Sequence, residues 1–253
     1  MIIDSHAHLG YDCAWDWLTT EEELISGYEK YGVDGAIVQP SIGRPYIEDT
    51  AETHNQIYRL CQNYPGRFWG MANINPHFRH EEYQKEAERC INELGFVGIK
   101  LNPQAHGVHP ATEDGLFVFE CAKRLCVPVM IHTSVDGMSW SDPVSLFPAI
   151  EKYSEVKIIL AHAGSDALIQ QAIYLGRKYN NVYLEPSWIN ILNFRTIIKE
   201  LGVEKVMFST DEITNTPIEL VKYRTIIKDK DELEKAFSGT AIKVFNLKIN
   251  KKE

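Results

Sequence analysis

Two histidines one residue apart, His6 and His8, follow a short apolar run in MIIDSHAHLG. On a strand, side chains at i and i+2 leave the same face, so two imidazoles at this spacing converge on one point with Ala7 turned away. That is a way to hold an ion, and imidazole nitrogen suits zinc, iron, nickel or copper better than calcium or magnesium. A lone His-x-His also occurs as two satisfied surface groups, so the reading depends on what joins it. Three further candidates close apolar runs: His132 in VPVMIHTS, His162 in KIILAHAG and Asp211 in VMFSTDEI. Asp211 follows residues of buried-strand character, where a carboxylate needs a positive neighbour. An ion would supply one, and such an aspartate can both ligate the ion and take a proton from water that the ion has acidified to a pKa of about 7. Its bland alternative is to cap the following helix. Lys100 in GFVGIKLNPQ has three readings: a cation for an anionic substrate, a carbamylated lysine bridging two metals, or a rim salt-bridge partner. The substrate or rim cation ranks first. His54, His77, His80, His106 and His109 read mainly as structural histidines.

These residues lie far apart in sequence, and the elements that carry them must bring them together. Eight runs rich in Val, Ile, Phe and Met have strand character: Ile2 to His6, Ala36 to Gln39, Phe68 to Asn73, Val97 to Leu101, Val129 to His132, Ile158 to His162, Val182 to Glu185 and Val206 to Asp211. Between them, stretches of helical period are expected over Glu21 to Tyr31, Thr50 to Asn63, Glu81 to Leu94, Leu116 to Leu125, Val144 to Tyr153, Asp166 to Lys178 and Ile191 to Leu201. Strand and helix in alternation predict an α/β fold with a parallel sheet. At 253 residues the length fits one (β/α)8 TIM barrel, so a single domain over residues 1–253 is expected. In that fold the carboxyl ends of the strands form one rim, where active sites lie. All the chemistry-bearing residues above would meet there.

The loops of that rim supply candidates for substrate contact. They are Trp15, with Tyr11 and Trp17, in GYDCAWDW; Arg44 in PSIGRPY, whose forked guanidinium could pair with a carboxylate; His106 or His109 in NPQAHGVHP; and Glu185 and Trp188 beyond the seventh strand. Composition excludes other classes. Lys plus Arg number 26 against 35 Asp plus Glu, a net −9, with no basic run except the terminal KINKKE, which disfavours nucleic acid as a partner. The cysteines are five, an odd number, without CxxC spacing, which argues against a disulfide framework and for a reducing, cytoplasmic setting. No run of 18 apolar residues suggests a membrane span. The expected partner is a small-molecule substrate, and the sequence leaves a homodimer open.

Taken together, DSHAHLG, GIKLNP, VPVMIHTS, LAHAG, FSTDEI and GTAIKVFNL resemble, nearly end to end, the amidohydrolase superfamily, and within it the amidohydrolase 2 branch of metal-dependent TIM-barrel hydrolases and decarboxylases. Carried over by position, the resemblance implies that His6, His8, His132 and Asp211 ligate a divalent metal ion, zinc as the first choice. His162 would lie beside it as a further ligand or as the group that polarises or protonates substrate. FSTDEI lacks the glycine and proline that often flank this aspartate in the branch. The first functional expectation is hydrolysis of a C–N, ester or lactone bond through metal-activated water, with Asp211 and His162 catalytic. The alternatives are non-oxidative decarboxylation of a small aromatic or unsaturated carboxylic acid, and a catalytically silent metal-binding protein.

Overall fold

A computed structural model describes residues 1–42 and 46–249. The first half runs β1 (Ile3–Asp12), β2 (Trp17–Thr19), α1 (Glu21–Tyr31), β3 (Gly35–Pro40), α2 (Ile47–Asn63), β4 (Phe68–Gly70), β5 (Ala72–Asn73), α3 (His80–Glu88), β6 (Ile99–Leu101), α4 (Pro103–His106) and α5 (Glu113–Leu125). The second runs β7 (Val129–His132), α6 (Phe147–Lys152), β8 (Ile158–Ala161), α7 (Ser165–Lys178), β9 (Val182–Glu185), α8 (Ile191–Leu201), α9 (Thr216–Ile226), α10 (Lys230–Glu234) and α11 (Thr240–Phe245). Strands pair in the orders β2-β1-β3-β4 and β5-β6-β7-β8-β9. Every pair is parallel except β1 with β2.

Residues 206–211 draw the two groups of strands round to each other. Leu184 bridges Val206 and Ala7 bridges Asp211, both in the parallel sense. The Ser5 N–H donates to the Phe208 carbonyl at 2.9 Å, and the Asp211 N–H to the His6 carbonyl at 2.8 Å. This is the strand order of the expected (β/α)8 barrel. A full strand was expected over Val206 to Asp211, and only bridges form because its amides are claimed elsewhere. Phe208 N–H donates to the Ala236 carbonyl at 2.9 Å, and Thr210 N–H to the buried Asp4 carboxylate at 3.0 Å.

Alternation along the strands divides the core in two. One set, including Ile3, Ile37, Met71, Met130, Ile159, Tyr183 and Met207, fills the barrel, and Ala241, Val244 and Phe245 of α11 pack against it. The other packs outward under the helices. Register places Lys100, Met130, Ile159 and Tyr183 in one inward layer and His132, Ala161 and Glu185 in the next. In β1 the parity changes. Ile3 faces inward, yet a register shift between Asp4 and Ala7 sends Ala7 to the outer core and turns His6 and His8 into the barrel. A one-residue irregularity flips every later side chain to the other face, and here it aims the histidine pair. β1 also runs four residues beyond His8 and folds back on β2 as an antiparallel hairpin, where the sequence suggested only a loop.

α1 and α8 begin and end where their periodicity predicts. α1 opens on a capping box between Thr20 and Glu23. Among the described residues no helix is long and apolar enough to cross a membrane.

Candidate metal centre

His6 is 1% exposed and its tautomer is fixed from behind. Nδ1 lies 3.0 Å from Glu185 Oε2; since a carboxylate only accepts, Nδ1 carries the proton and Nε2 presents a lone pair. Around that Nε2 lie His8 Nε2 at 3.1 Å, Asp211 Oδ1 at 3.1 Å and Lys100 Nζ at 3.1 Å. Asp211 Oδ1 is 3.2 Å from His8 Nε2. Donor atoms of His6, His162 and Asp211 all fall within 4.8 Å of one another.

Two nitrogens and an oxygen thus form a triangle with edges of 3.1, 3.1 and 3.2 Å. Donors about 2.0–2.1 Å from a shared ion would stand roughly 3.0–3.4 Å apart. The charges agree with the spacing. With the histidines neutral, Asp211 and Glu185 contribute −2 and Lys100 +1, leaving −1 in a recess of low exposure, a balance that calls for a cation. The residues present therefore fit a divalent metal.

Burial and neighbours tune each group. Burial and then the Lys100 charge lower the His6 pKa to about 4, and burial lowers that of His162 to about 3, so both offer lone pairs at neutral pH. Burial raises Glu185, but His6, His162 and the Ser209 hydroxyl together outweigh it and the pKa settles at about 2. Burial also raises Asp211, yet His6, His162 and His8 hold it well below the usual carboxylate range. Lys100, 2% exposed, is lowered by burial to about 8.

Glu185 is a correction to the loop reading. It is wholly buried and accepts from His6, the His162 N–H at 2.9 Å, the Ser187 N–H at 3.0 Å and the Ser209 hydroxyl; it orients ligands and is spent on that task. The signal was present, because VYLE ends an apolar strand on an ionisable group just as VMIH does. His162 reaches the cluster through a left-handed stretch, φ being 61° at His162, 46° at Ala163, 80° at Gly164 and 56° at Ser165. Such values are costly for residues with a Cβ. The Gly164 N–H bond to Thr133 Oγ1 at 2.9 Å helps to hold the turn, and the Nδ1 of His162 meets Ser187 Oγ at 2.8 Å.

His132 faces the same cavity with its ring 4.9 Å from that of His162, but its Nε2 turns to Asp136 Oδ2 at 3.2 Å. The tight group thus contains His162 where the resemblance implied His132. Asp211 caps no helix, since α9 has Asn215 in that position. A cavity of about 360 Å³ opens over the cluster, lined by His6, His8, Trp15, Trp17, Ser41, Asn73, Lys100, Asn102, His132, His162 and Asp211 among others. Trp15 is thereby brought to the site. His106 is not among the lining residues, and its Nδ1 is buried without a hydrogen-bond partner among the described residues. Trp188 does not line the cavity either; its indole Nε1–H donates to Asp211 Oδ2 at 2.9 Å. Arg44 lies outside the described residues.

Known proteins agree with this architecture. A 2-keto-4-carboxy-3-hexenedioate hydratase of Sphingobium sp. (strain NBRC 103272 / SYK-6) is 31% identical over 132 residues, 46% of this chain and 39% of that enzyme, so the match spans under half of that relative. A gamma-resorcylate decarboxylase of Polaromonas sp. (strain JS666 / ATCC BAA-500) is 25% identical over 258 residues, 77% of each protein. The 5-carboxyvanillate decarboxylase of Novosphingobium aromaticivorans DSM 12444, solved with manganese and 4-hydroxy-3-methoxy-5-nitrobenzoic acid, has the same fold at a TM-score of 0.80 and 18% identity, covering 98% of this chain and 96% of that one. The amidohydrolase family model Amidohydro_2 matches residues 3–247, and with nearly the whole chain so matched, the protein belongs to the amidohydrolase family.

Proposed function

We propose that the chain is a divalent-metal enzyme that removes the carboxyl group of a small carboxylic acid as carbon dioxide. The observation that carries this reading is Lys100, a buried ammonium 3.1 Å from His6 Nε2. Adding a divalent ion to the −1 of Asp211, Glu185 and Lys100 leaves the recess at +1, which favours an anionic substrate group, and Lys100 Nζ is placed to donate to it. That the decarboxylases and the hydratase among its relatives are named for carboxylic acids supports the same substrate class.

His6, His8, His162 and Asp211 would hold the metal, which when bound supplies a Lewis acid that polarises the oxygens of the substrate. Zinc was the first choice from sequence, and manganese suits a mixed histidine and carboxylate set as well. Glu185 keeps the His6 lone pair directed at the site, and Lys100 holds the carboxylate. Trp15 and Trp17 line the cavity and offer aromatic surface to the substrate. As the C–C bond breaks and carbon dioxide leaves, the electron pair stays on carbon, and Asp211 passes to that carbon a proton that it has first taken from a substrate hydroxyl or from water.

Hydrolysis, the first expectation from sequence, stands second. Asp211 Oδ1 among the donors favours it, because the same carboxylate can take a proton from water. The two are separated by incubating the Mn²⁺- or Zn²⁺-loaded protein with hydroxybenzoic acids and, in parallel, with lactones and cyclic amides, while carbon dioxide is monitored. Metal-dependent carbon dioxide release is expected. Turnover of lactones or amides with no carbon dioxide from the acids would reverse the order.

A further inference from the structure

Asp211 divides its two oxygens between two tasks. Oδ1 lies 3.1 and 3.2 Å from the His6 and His8 nitrogens, while Oδ2 accepts from the Trp188 indole at 2.9 Å. Trp188 is 53% exposed, so apolar burial does not keep it in place, and its φ of 65° is costly for a side chain of this size. Something must hold it there. Its N–H donates to Glu219 Oε1 at 3.1 Å, and Lys222 Nζ donates to the carbonyls of Pro186 and Ile189, each at 2.9 Å, on either side. Glu219 and Lys222 form a buried ion pair. Asn215 Nδ2 completes the frame, donating to the Thr210 carbonyl at 3.0 Å and to Glu219 at 3.3 Å. One buried pair on α9 therefore ties together the turn that carries Trp188 and the turn that carries Asp211.

We propose that Trp188 is a positioning residue, and that its indole N–H detains one oxygen of Asp211 so that the carboxylate offers a single oxygen to the metal. A carboxylate released from that bond would be free to rotate and carry Oδ1 away from the His6 and His8 nitrogens. The inference rests on the metal reading above, and it gives Trp188 a role different from the substrate contact expected of it.

Trp188→Phe keeps the ring and removes the donor. Mn²⁺ binding to the metal-free protein, read from the electron paramagnetic resonance of free Mn²⁺, should weaken about tenfold, the lower end for loss of a group that orients a ligand. At saturating Mn²⁺ the variant should also show a several-fold lower kcat, with the melting temperature of the metal-free protein unchanged within about 2 °C. Mn²⁺ titration of the unmutated chain should alter indole fluorescence, and most of that change should vanish in the variant. An unchanged Kd would overturn the inference while leaving the metal reading intact. So would a lowered melting temperature with unchanged Kd and kcat, which would make Trp188 structural. Failure of the unmutated chain to bind Mn²⁺ would remove both.

Discussion

By ligand type alone two candidate metal clusters stand among the described residues: His6 with His162 and Asp211, and His54 with Glu86 and Cys90. Both histidines set Nδ1 against a buried glutamate, 3.0 Å to Glu185 and 2.6 Å to Glu86. They differ at the other nitrogen. His54 Nε2 accepts the Asn73 N–H at 3.0 Å, and Glu86 is bound further by Arg89 Nε and Nη2, each at 2.8 Å. The lone pairs of that histidine and carboxylate already have donors, so nothing there awaits a cation. His6 Nε2 instead meets the Asp211 oxygen and the His8 nitrogen beside one donor, the Lys100 ammonium, so more lone pairs converge there than that donor can serve. Closeness of ligand-type residues does not define a site; what decides is whether each lone pair is already engaged.

The strongest test of this contrast is metal content. His6→Ala should drop bound divalent metal from about one equivalent to background and turnover by a thousandfold or more, about 4 kcal/mol at 1.36 per decade. His54→Ala should leave the metal untouched, and elemental analysis of both variants reads the difference. Equal metal loss in the two would abolish the distinction.

Asp211→Asn sharpens it within the first cluster. With metal restored by excess ion, kcat should fall about a hundredfold, or about 2.7 kcal/mol, because asparagine keeps the shape but cannot carry the proton. The melting temperature should hardly move.

In the second cluster the loss should be one of stability. His54→Ala strips a buried carboxylate of one partner and leaves Arg89 as the other, so about 3 kcal/mol is expected, roughly 6–12 °C in melting temperature at about 2–4 °C per kcal/mol. Calorimetry of the metal-free protein measures it.

The smallest effect concerns acid. Burial raises Glu86, but His54 and Arg89 outweigh it and hold the pKa at about 2 against an ordinary 4.5. A carboxylate depressed by folding stabilises fully above its unfolded pKa and loses that contribution as pH falls through the folded one. Burial lowers His54 as well, which acts in the same direction and begins at higher pH. Stability against urea should therefore decline as pH drops from about 4.5 toward 2, and Glu86→Gln should flatten that decline. An unchanged slope in the variant would assign the acid sensitivity to other carboxylates.

Much of the scaffold was legible because period and punctuation act locally. β7 and β9 match their apolar runs end to end, as α1 and α8 match their periodicity. The histidine pair was legible as a pair, but not the reason it faces inward. The register shift between Asp4 and Ala7 depends on how β1 meets β3, which no local pattern records. That His162, and not His132, falls within the tight group was hidden likewise, since it turns on a left-handed backbone at His162 and on Asp136 standing opposite His132. The β1–β2 hairpin was missed because its turn, DCAWD, carries no glycine or proline to mark it.

The contact between Asp211 N–H and the His6 carbonyl has a consequence for how the protein is made. Asp211 is synthesised 205 residues after His6. At about 5–20 residues per second that is a delay of roughly 10–40 s. Until then the imidazole pair lacks the Asp211 oxygen, and on the proposed metal reading an ion caught early would be held by nitrogen alone and would exchange readily. On that reading durable capture would begin when the last stretch of barrel backbone docks against the first, and metal retention would report that the chain has closed on itself.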